Sequence, residues 1–208
     1  IRVNNPNLII DSTLEDEYGF NADIGIKGTA FSGMFHFDFS AFYLLYENRI
    51  GTVLQSDRPP LYLPYRYRTN IGATRTIGIE SIVETDLLKL FDVGTNNILR
   101  AYVNTSLIEG TYMHSRLPGI QGKKVEYIPT ITLRSGIEYI TDEMNIGLNL
   151  SYVGSQFSDA SNAIRSSNPI VGQIPAFTVF DFSFGYKVHS SISMEFHINN
   201  ILDVRYFT

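Results

Sequence analysis

The stretch that decides the fold is Phe180-Asp181-Phe182-Ser183-Phe184-Gly185-Tyr186-Lys187. Every second residue is aromatic, and every residue between is polar or glycine. Strand side chains point alternately to opposite faces, so this is a strand with one apolar and one polar surrounding. Working outward, Ile192, Met194, Phe196 and Ile198 alternate with Ser193, Glu195, His197 and Asn199. Upstream, Met144, Ile146, Leu148, Leu150 and Tyr152 oppose Asn145, Gly147, Asn149, Ser151 and Val153. Near the start, Phe20, Ala22, Ile24 and Ile26 oppose Asn21, Asp23, Gly25 and Lys27.

Four further segments carry the same period less cleanly. Phe35 to Leu45 alternates except at Phe42 and Leu44. Asn70 to Glu80 places Arg75 on its apolar side, which predicts a bulge or a strand end there. Leu99 to Leu107 and Thr130 to Tyr139 complete the set of eight. Short connections (28–33, 140–143, 188–191) alternate with long ones (47–69, 109–126, 155–176) rich in Gly, Pro, Ser, Asn and Tyr. Segment 83–97, with Leu87, Leu88, Leu90 and Phe91, reads equally as strand extension or as a helical turn.

Eight alternating strands fit a soluble β-sandwich, whose apolar faces meet in a core. Three features favour a transmembrane barrel. The strands approach the roughly 9–11 residues that cross a bilayer when tilted. Tight turns alternate with large loops. Tyr43, Tyr46, Tyr139, Tyr152 and Tyr186 lie near apolar strand ends, as in an interfacial girdle. Composition agrees: charged residues make up 18% of the 208 and aromatics 13%, against about 25% charged in soluble domains. The net charge of -5 argues against nucleic-acid binding, which needs a basic face. There is no cysteine, hence no disulfide or thiolate metal site. No apolar run reaches the roughly 20 residues of a membrane helix, and Ile1 to Pro6 carries no signal pattern. With long loops outside, both ends of the chain fall on the outer side, which is expected of a section of a larger barrel.

Ile198-Asn199-Asn200-Ile201-Leu202-Asp203-Val204-Arg205-Tyr206 resembles the signature near the carboxy terminus of TonB-dependent outer-membrane receptors. Glu17 to Gly25, Ser40-Ala41-Phe42-Tyr43, Arg68 to Gly72, Gly78-Ile79-Glu80, Ile128-Pro129 and Ile174 to Asp181 resemble its upstream segments in order. Within the family the chain looks most similar to the ferric dicitrate branch. The resemblance implies an all-β, antiparallel transmembrane β-barrel, with residues 1–208 supplying about eight strands of a barrel of about 22. It also implies a plug and a final strand outside this chain. A bacterial outer-membrane location follows, with energy-coupled uptake of a ferric chelate or similar nutrient. Expected partners are the TonB–ExbB–ExbD energising complex, acting through the plug region, an anionic iron chelate and outer-membrane lipid. The competing function is that of a sandwich-type surface adhesin or carbohydrate-binding module.

No catalytic constellation is present: His36, His114, His189 and His197 lack paired metal spacing, and there is no nucleophile elbow or phosphate-cradling loop. Neither an enzyme nor a resident cofactor is expected. The sharpest candidate site is loop 47–69, where Arg49, Arg58, Arg66 and Arg68 interleave with Tyr62, Tyr65 and Tyr67. Arginine forks bind carboxylates, and tyrosine adds a flat apolar body with a hydroxyl. Arg58, Tyr62, Tyr65, Arg66 and Arg68 are therefore the expected ligand contacts. The alternative is a solvated loop pairing with neighbouring acids or with lipopolysaccharide phosphates.

Overall fold

A computed structural model describes residues 8–55, 65–165 and 171–207. The elements in chain order are β1 (Leu8–Ile10), β2 (Tyr18–Ala30), β3 (Phe35–Gln55), β4 (Tyr65–Asp86), α1 (Leu87–Leu90), β5 (Ile98–Ser115), β6 (Ile131–Ile140), β7 (Met144–Val153), β8 (Gln156–Phe157), β9 (Gln173–Ile174), β10 (Phe177–His189) and β11 (Ile192–Ile198). The eight long strands form one antiparallel sheet in the order β11-β10-β7-β6-β5-β4-β3-β2. Each long strand therefore lies beside its predecessor in sequence, a meander open at β2 and β11 among the described residues. β8 and β9 make a small separate hairpin within the last long connection.

The register joins the eight apolar faces into one. A single cross-strand row runs Ala30, Phe35, Thr85, Ala101, Ile137, Leu148, Phe182, Ile198. The opposite face carries the row Thr29, His36, Glu84, Tyr102, Gly136, Asn149, Asp181. Because the side-chain period is two, a slip of one residue anywhere would mix these faces. The apolar face is not covered by protein: Ile24 is 77% exposed, and Ile26 and Met194 are each 64% exposed. Burying such a side chain contributes about 1.5–3 kcal/mol, and a sandwich would gain that between two sheets. Among the described residues no second sheet faces this one, so the sandwich alternative fails. Hydrocarbon is the surrounding that this face fits.

Several strands outrun the expected boundaries. β3, β4 and β5 contain 21, 22 and 18 residues, roughly twice a bilayer crossing. Most of the described part of 47–69 is thus strand rather than loop, and 109–115 belongs to β5. Segment 83–97 contains both readings. β4 continues to Asp86, and one helical turn follows, capped by the Asp86 carboxylate, which accepts from the Leu88 N–H at 3.1 Å and from that of Leu99 at 3.2 Å. Tyr46 departs from the girdle expectation, since it pairs with Gly19 and Thr74 on the polar face.

Arg75 is not itself the bulge. It sits in regular register between Leu45 and Thr111, and the irregularities lie just beyond it. One extra β3 residue falls between Tyr46 and Arg49, one β4 residue between Asn70 and Gly72, and β5 shifts opposite Ala73 and Thr74. Asn48 adopts φ 52° and Gly72 φ 144° to make these turns. A Cβ at Gly72 would also collide with the His114 carbonyl oxygen, so this position requires glycine.

Two outcomes are expected in chemical unfolding of the full-length receptor in lipid. Phe182→Arg should destabilise it by about 2–4 kcal/mol, the cost of a charge near the bilayer midplane, whereas His197→Arg on the polar face should stay within about 0.5 kcal/mol. Gly72→Ala should cost more than about 1 kcal/mol. Gly94→Ala, with open space around its Cβ, should be near neutral.

Candidate ligand-contact surface at the long-connection end

The bulges invert which residues face which way. Below them Tyr46, Leu44 and Thr74 share the polar face with Tyr112. Above them Arg49 takes that side, its guanidinium 5.6 Å from the centre of the Tyr112 ring. Arg49 is also paired with Glu126 at 2.9 Å, and the Tyr112 hydroxyl donates to the same carboxylate at 2.8 Å. Around this trio Ile71, Tyr112, Ile120 and Val125 form a buried cluster, with Val53, Leu117 and Ile128 against it. Tyr112 is 1% exposed. A charged pair shielded this way is worth more than an exposed one, whose median is about 0–1 kcal/mol. The trio fixes the returning chain, 116–130, against the upper part of β5.

A second polar knot ties down residues 11–17. β1 runs parallel to β4, Leu8 with Arg66 to Ile10 with Arg68, on the edge that β5 leaves after Ser115. The chain then passes over β4 and β3 to begin β2. Asn70, 2% exposed, mimics a strand partner: its Oδ1 accepts from Glu15 N–H at 2.8 Å, while its Nδ2 donates to the carbonyls of Glu15 at 2.9 Å and Asn48 at 2.6 Å. The Glu17 carboxylate accepts from Ile50 N–H at 2.6 Å, and Arg116 donates to Glu15 at 3.1 Å. The Thr69 hydroxyl donates to Asp11 at 2.6 Å. With Thr13 it holds the Asp11 carboxyl well below the usual carboxylate range.

Of the predicted ligand contacts, Arg58 and Tyr62 lie outside the described residues. Tyr65, Arg66 and Arg68 fall on the first turns of β4, and strand alternation separates them. Tyr65 and Tyr67 take the side of Val53 and Tyr112, their rings 6.4 Å apart at 81°. The Tyr65 hydroxyl donates to Gln55 at 2.7 Å. Arg66 and Arg68 are exposed on the opposite side, with Thr52 the register partner of Arg68. Tyr112, Glu126, Asp11 and Glu15 were not legible as site residues, because each is an isolated polar residue that only the long-range pairing brings into place. Among the described residues no group of three metal-ligating side chains converges.

Nearer the short turns the polar face carries its own network. Arg100 lies between Glu84 and Glu138, 3.3 Å from each, and Tyr102 donates to Asn149 at 2.8 Å. The tail motif has a structural cause. The Asp181 carboxylate accepts from Asn200 N–H at 2.7 Å, and the Asn200 amide brackets Val204 with two bonds of 2.9 Å. Tyr206 stacks on Phe177 with centroids 4.4 Å apart. The asparagine, the aspartate before it in sequence and the tyrosine thus fold the chain after β11 back against β10.

The sheet resembles solved outer-membrane receptors. The ferric citrate transporter FecA, in its unliganded form, matches with a TM-score of 0.71 at 21% identity, over 90% of this chain and 27% of that one. The copper transporter OprC matches at 0.69 and 17% identity, over 94% and 27%. The ferric yersiniabactin uptake receptor FyuA from Yersinia pestis matches at 0.66 and 16%, over 91% and 26%. The chain therefore spans about a quarter of the length of these proteins. The family described as TonB dependent receptor-like, beta-barrel, covers residues 2–201. With the meander, the single lipid-type face and the tail lock already in place, the chain belongs to the β-barrel domain of the TonB-dependent receptors, a family of outer-membrane proteins of Gram-negative bacteria.

Proposed function

We propose that the intact receptor imports an anionic iron chelate across the outer membrane, with a ferric citrate-like complex as its cargo. This chain contributes a section of the barrel wall. The plug, and through it the TonB–ExbB–ExbD complex, belongs to the remainder of the protein. The observation that carries the choice of cargo is the pair of long strands β3 and β4, roughly twice a bilayer crossing in length, with Tyr65, Arg66, Tyr67 and Arg68 at the start of β4. A citrate-type chelate exposes carboxylates, which the arginine fork engages in paired charge-assisted bonds. The similarity to a ferric citrate transporter supports the same reading. The comparable likeness to a copper transporter means that barrel shape alone does not choose between cargoes.

The two faces of the hairpin serve different ends on this reading. Tyr65 looks toward the side of Tyr112 and offers direct contact. Arg66 and Arg68, on the other side, raise the positive potential that draws an anion to the mouth. Titration of the full-length receptor with ferric citrate is the test. An Arg58→Ala, Arg66→Ala, Arg68→Ala triple variant should lose about 1.5–3 kcal/mol of binding, roughly a tenfold to hundredfold weakening. Replacement by lysine should restore part of it. An Arg66→Ala, Arg68→Ala double variant should lose less, and its deficit should shrink as salt is raised. Unchanged affinity in a folded triple variant removes the hairpin arginines from the binding site.

A further inference from the structure

Above the membrane the hydrogen-bonded sheet continues through chain that forms no regular strand. Residues 122–127 run antiparallel to the upper part of β5, with Thr111 and Lys124 as register partners. Tyr112 N–H donates to the Lys123 carbonyl at 2.9 Å, and Val125 N–H to that of Gly110 at 2.9 Å. The approach is close: Gly110 is buried, and a Cβ there would lie 2.8 Å from Ile128. The backbone groups of Lys124 then point away from β5, toward the connection after β7. Tyr127 N–H donates to the Phe157 carbonyl at 2.9 Å. The Asn162 Oδ1 accepts from Lys124 N–H at 2.6 Å, and its Nδ2 donates to the Lys124 carbonyl at 2.9 Å. One side-chain amide thus takes both groups that a further strand would have paired.

The local chain presets that amide. Asn162 has φ 53°, in the left-handed region that asparagine tolerates better than most residues. Its own N–H and its Nδ2 both donate to the Asp159 carbonyl at 3.3 Å. The base of the connection is closed by β8 pairing with β9 and by Ser158 N–H donating to the Gly172 carbonyl at 3.0 Å. Ala160, on the approach to Asn162, packs against the buried cluster of Ile71, Tyr112, Ile120 and Val125, and so does Val53 of β3. Glu126, just beyond Lys124, holds Arg49, and Val53 is the register partner of Tyr67. Three outer connections therefore meet at one small core, and Asn162 closes its far side.

We propose that Asn162 is a positioning residue for cargo binding. By clasping Lys124 it holds Glu126 and Ala160 in place, and through them Arg49, Val53 and the edge of β4 that carries Tyr65 and Tyr67. The β3–β4 hairpin, 116–130 and the connection after β7 then behave as one braced body, whose order is in place before cargo arrives instead of being imposed on binding. The functional consequence rests on the cargo reading above, whereas the bracing rests on geometry alone. Both Lys124 groups would find water if released, so the clasp contributes at the lower end of the range for hydrogen bonds, about fivefold to tenfold for the two together.

The test uses the full-length receptor in detergent micelles. Asn162→Gly keeps the left-handed backbone accessible and removes both bonds, whereas Asn162→Asp keeps only the one from Lys124 N–H. Backbone hydrogen exchange is measured without cargo on peptides spanning 50–55, 65–69 and 120–127, with β6 and β7 reporting that the barrel is folded. Asn162→Gly should speed exchange in all three peptides by about fivefold to tenfold and weaken ferric citrate binding by a similar factor. Asn162→Asp should change both by less. Faster exchange confined to 120–127, with the hairpin peptides at wild-type rates, overturns the proposal, since the clasp would then be a local staple. Ferric citrate affinity unchanged in a variant whose hairpin has loosened overturns the positioning role. A wild-type receptor that binds no ferric citrate overturns the cargo reading alone, and the hairpin peptides still decide the bracing.

Discussion

Everything in this molecule depends on strand-to-strand pairing that leaves no backbone donor or acceptor turned toward hydrocarbon. A bilayer offers no water to satisfy an N–H or C=O, and each unsatisfied group costs several kcal/mol. An antiparallel meander answers this locally, because each inner strand of the sheet is satisfied by its neighbours on both sides. The long strands do so through unbroken registers of up to 13 consecutive partners within a pair of strands. Once pairing is fixed, the period-two alternation does the rest. It collects Phe, Ile, Leu and Met on one face and Glu, Arg, Asn, Ser and Tyr on the other. The polar face then forms its own networks, as at Arg100 between two glutamates. Glycine there makes room for large neighbours: a Cβ at Gly136 would lie 2.6 Å from the Tyr102 ring.

Above the membrane the same sheet obeys different rules. Water is available, strands overshoot, and bulges become affordable. The irregularities at Asn48, Ile71–Gly72 and Met113 exchange the two faces, so that Arg49 and Val53 join Tyr112 while Arg66 and Arg68 turn away. This region holds the buried cluster of the described residues, together with the Arg49–Tyr112–Glu126 trio and the Asn70 knot. The β3–β4 hairpin is thus a braced projection. Its orientation is set by a few buried polar bonds rather than by the hydrophobic face that governs the membrane section.

The membrane section was legible from sequence because alternation is a local property. β6 and β7, and the order of strands, follow directly from the pattern of residues. The ends of β3, β4 and β5 were not. Tyr65 to Arg68 alternates aromatic with charged residues, but Arg and Tyr set among Gly, Pro and Ser read as a polar loop when no neighbouring strand is in view. The same cause hid the candidate surface. Arginine and tyrosine could be read as one interleaved set in 47–69, but strand formation splits Tyr65 from Arg66 and Arg68. Arg75 breaks the apolar alternation of its strand, and the bulges that this break predicts lie beyond it. Its own position is regular, and its oddity is chemical.

The central claim is that one face of this sheet meets lipid rather than protein. Single cysteines at Phe182, Leu148 and Phe196, with Ser193 and Glu195 as opposite-face controls, can be spin-labelled in the full-length receptor reconstituted into bilayers. The account predicts that membrane-dissolved oxygen relaxes the labels at the first three positions strongly, and those at the controls weakly. Labels at Phe182, Leu148 and Phe196 that are immobilised and shielded from oxygen, as in a packed protein interior, would contradict it.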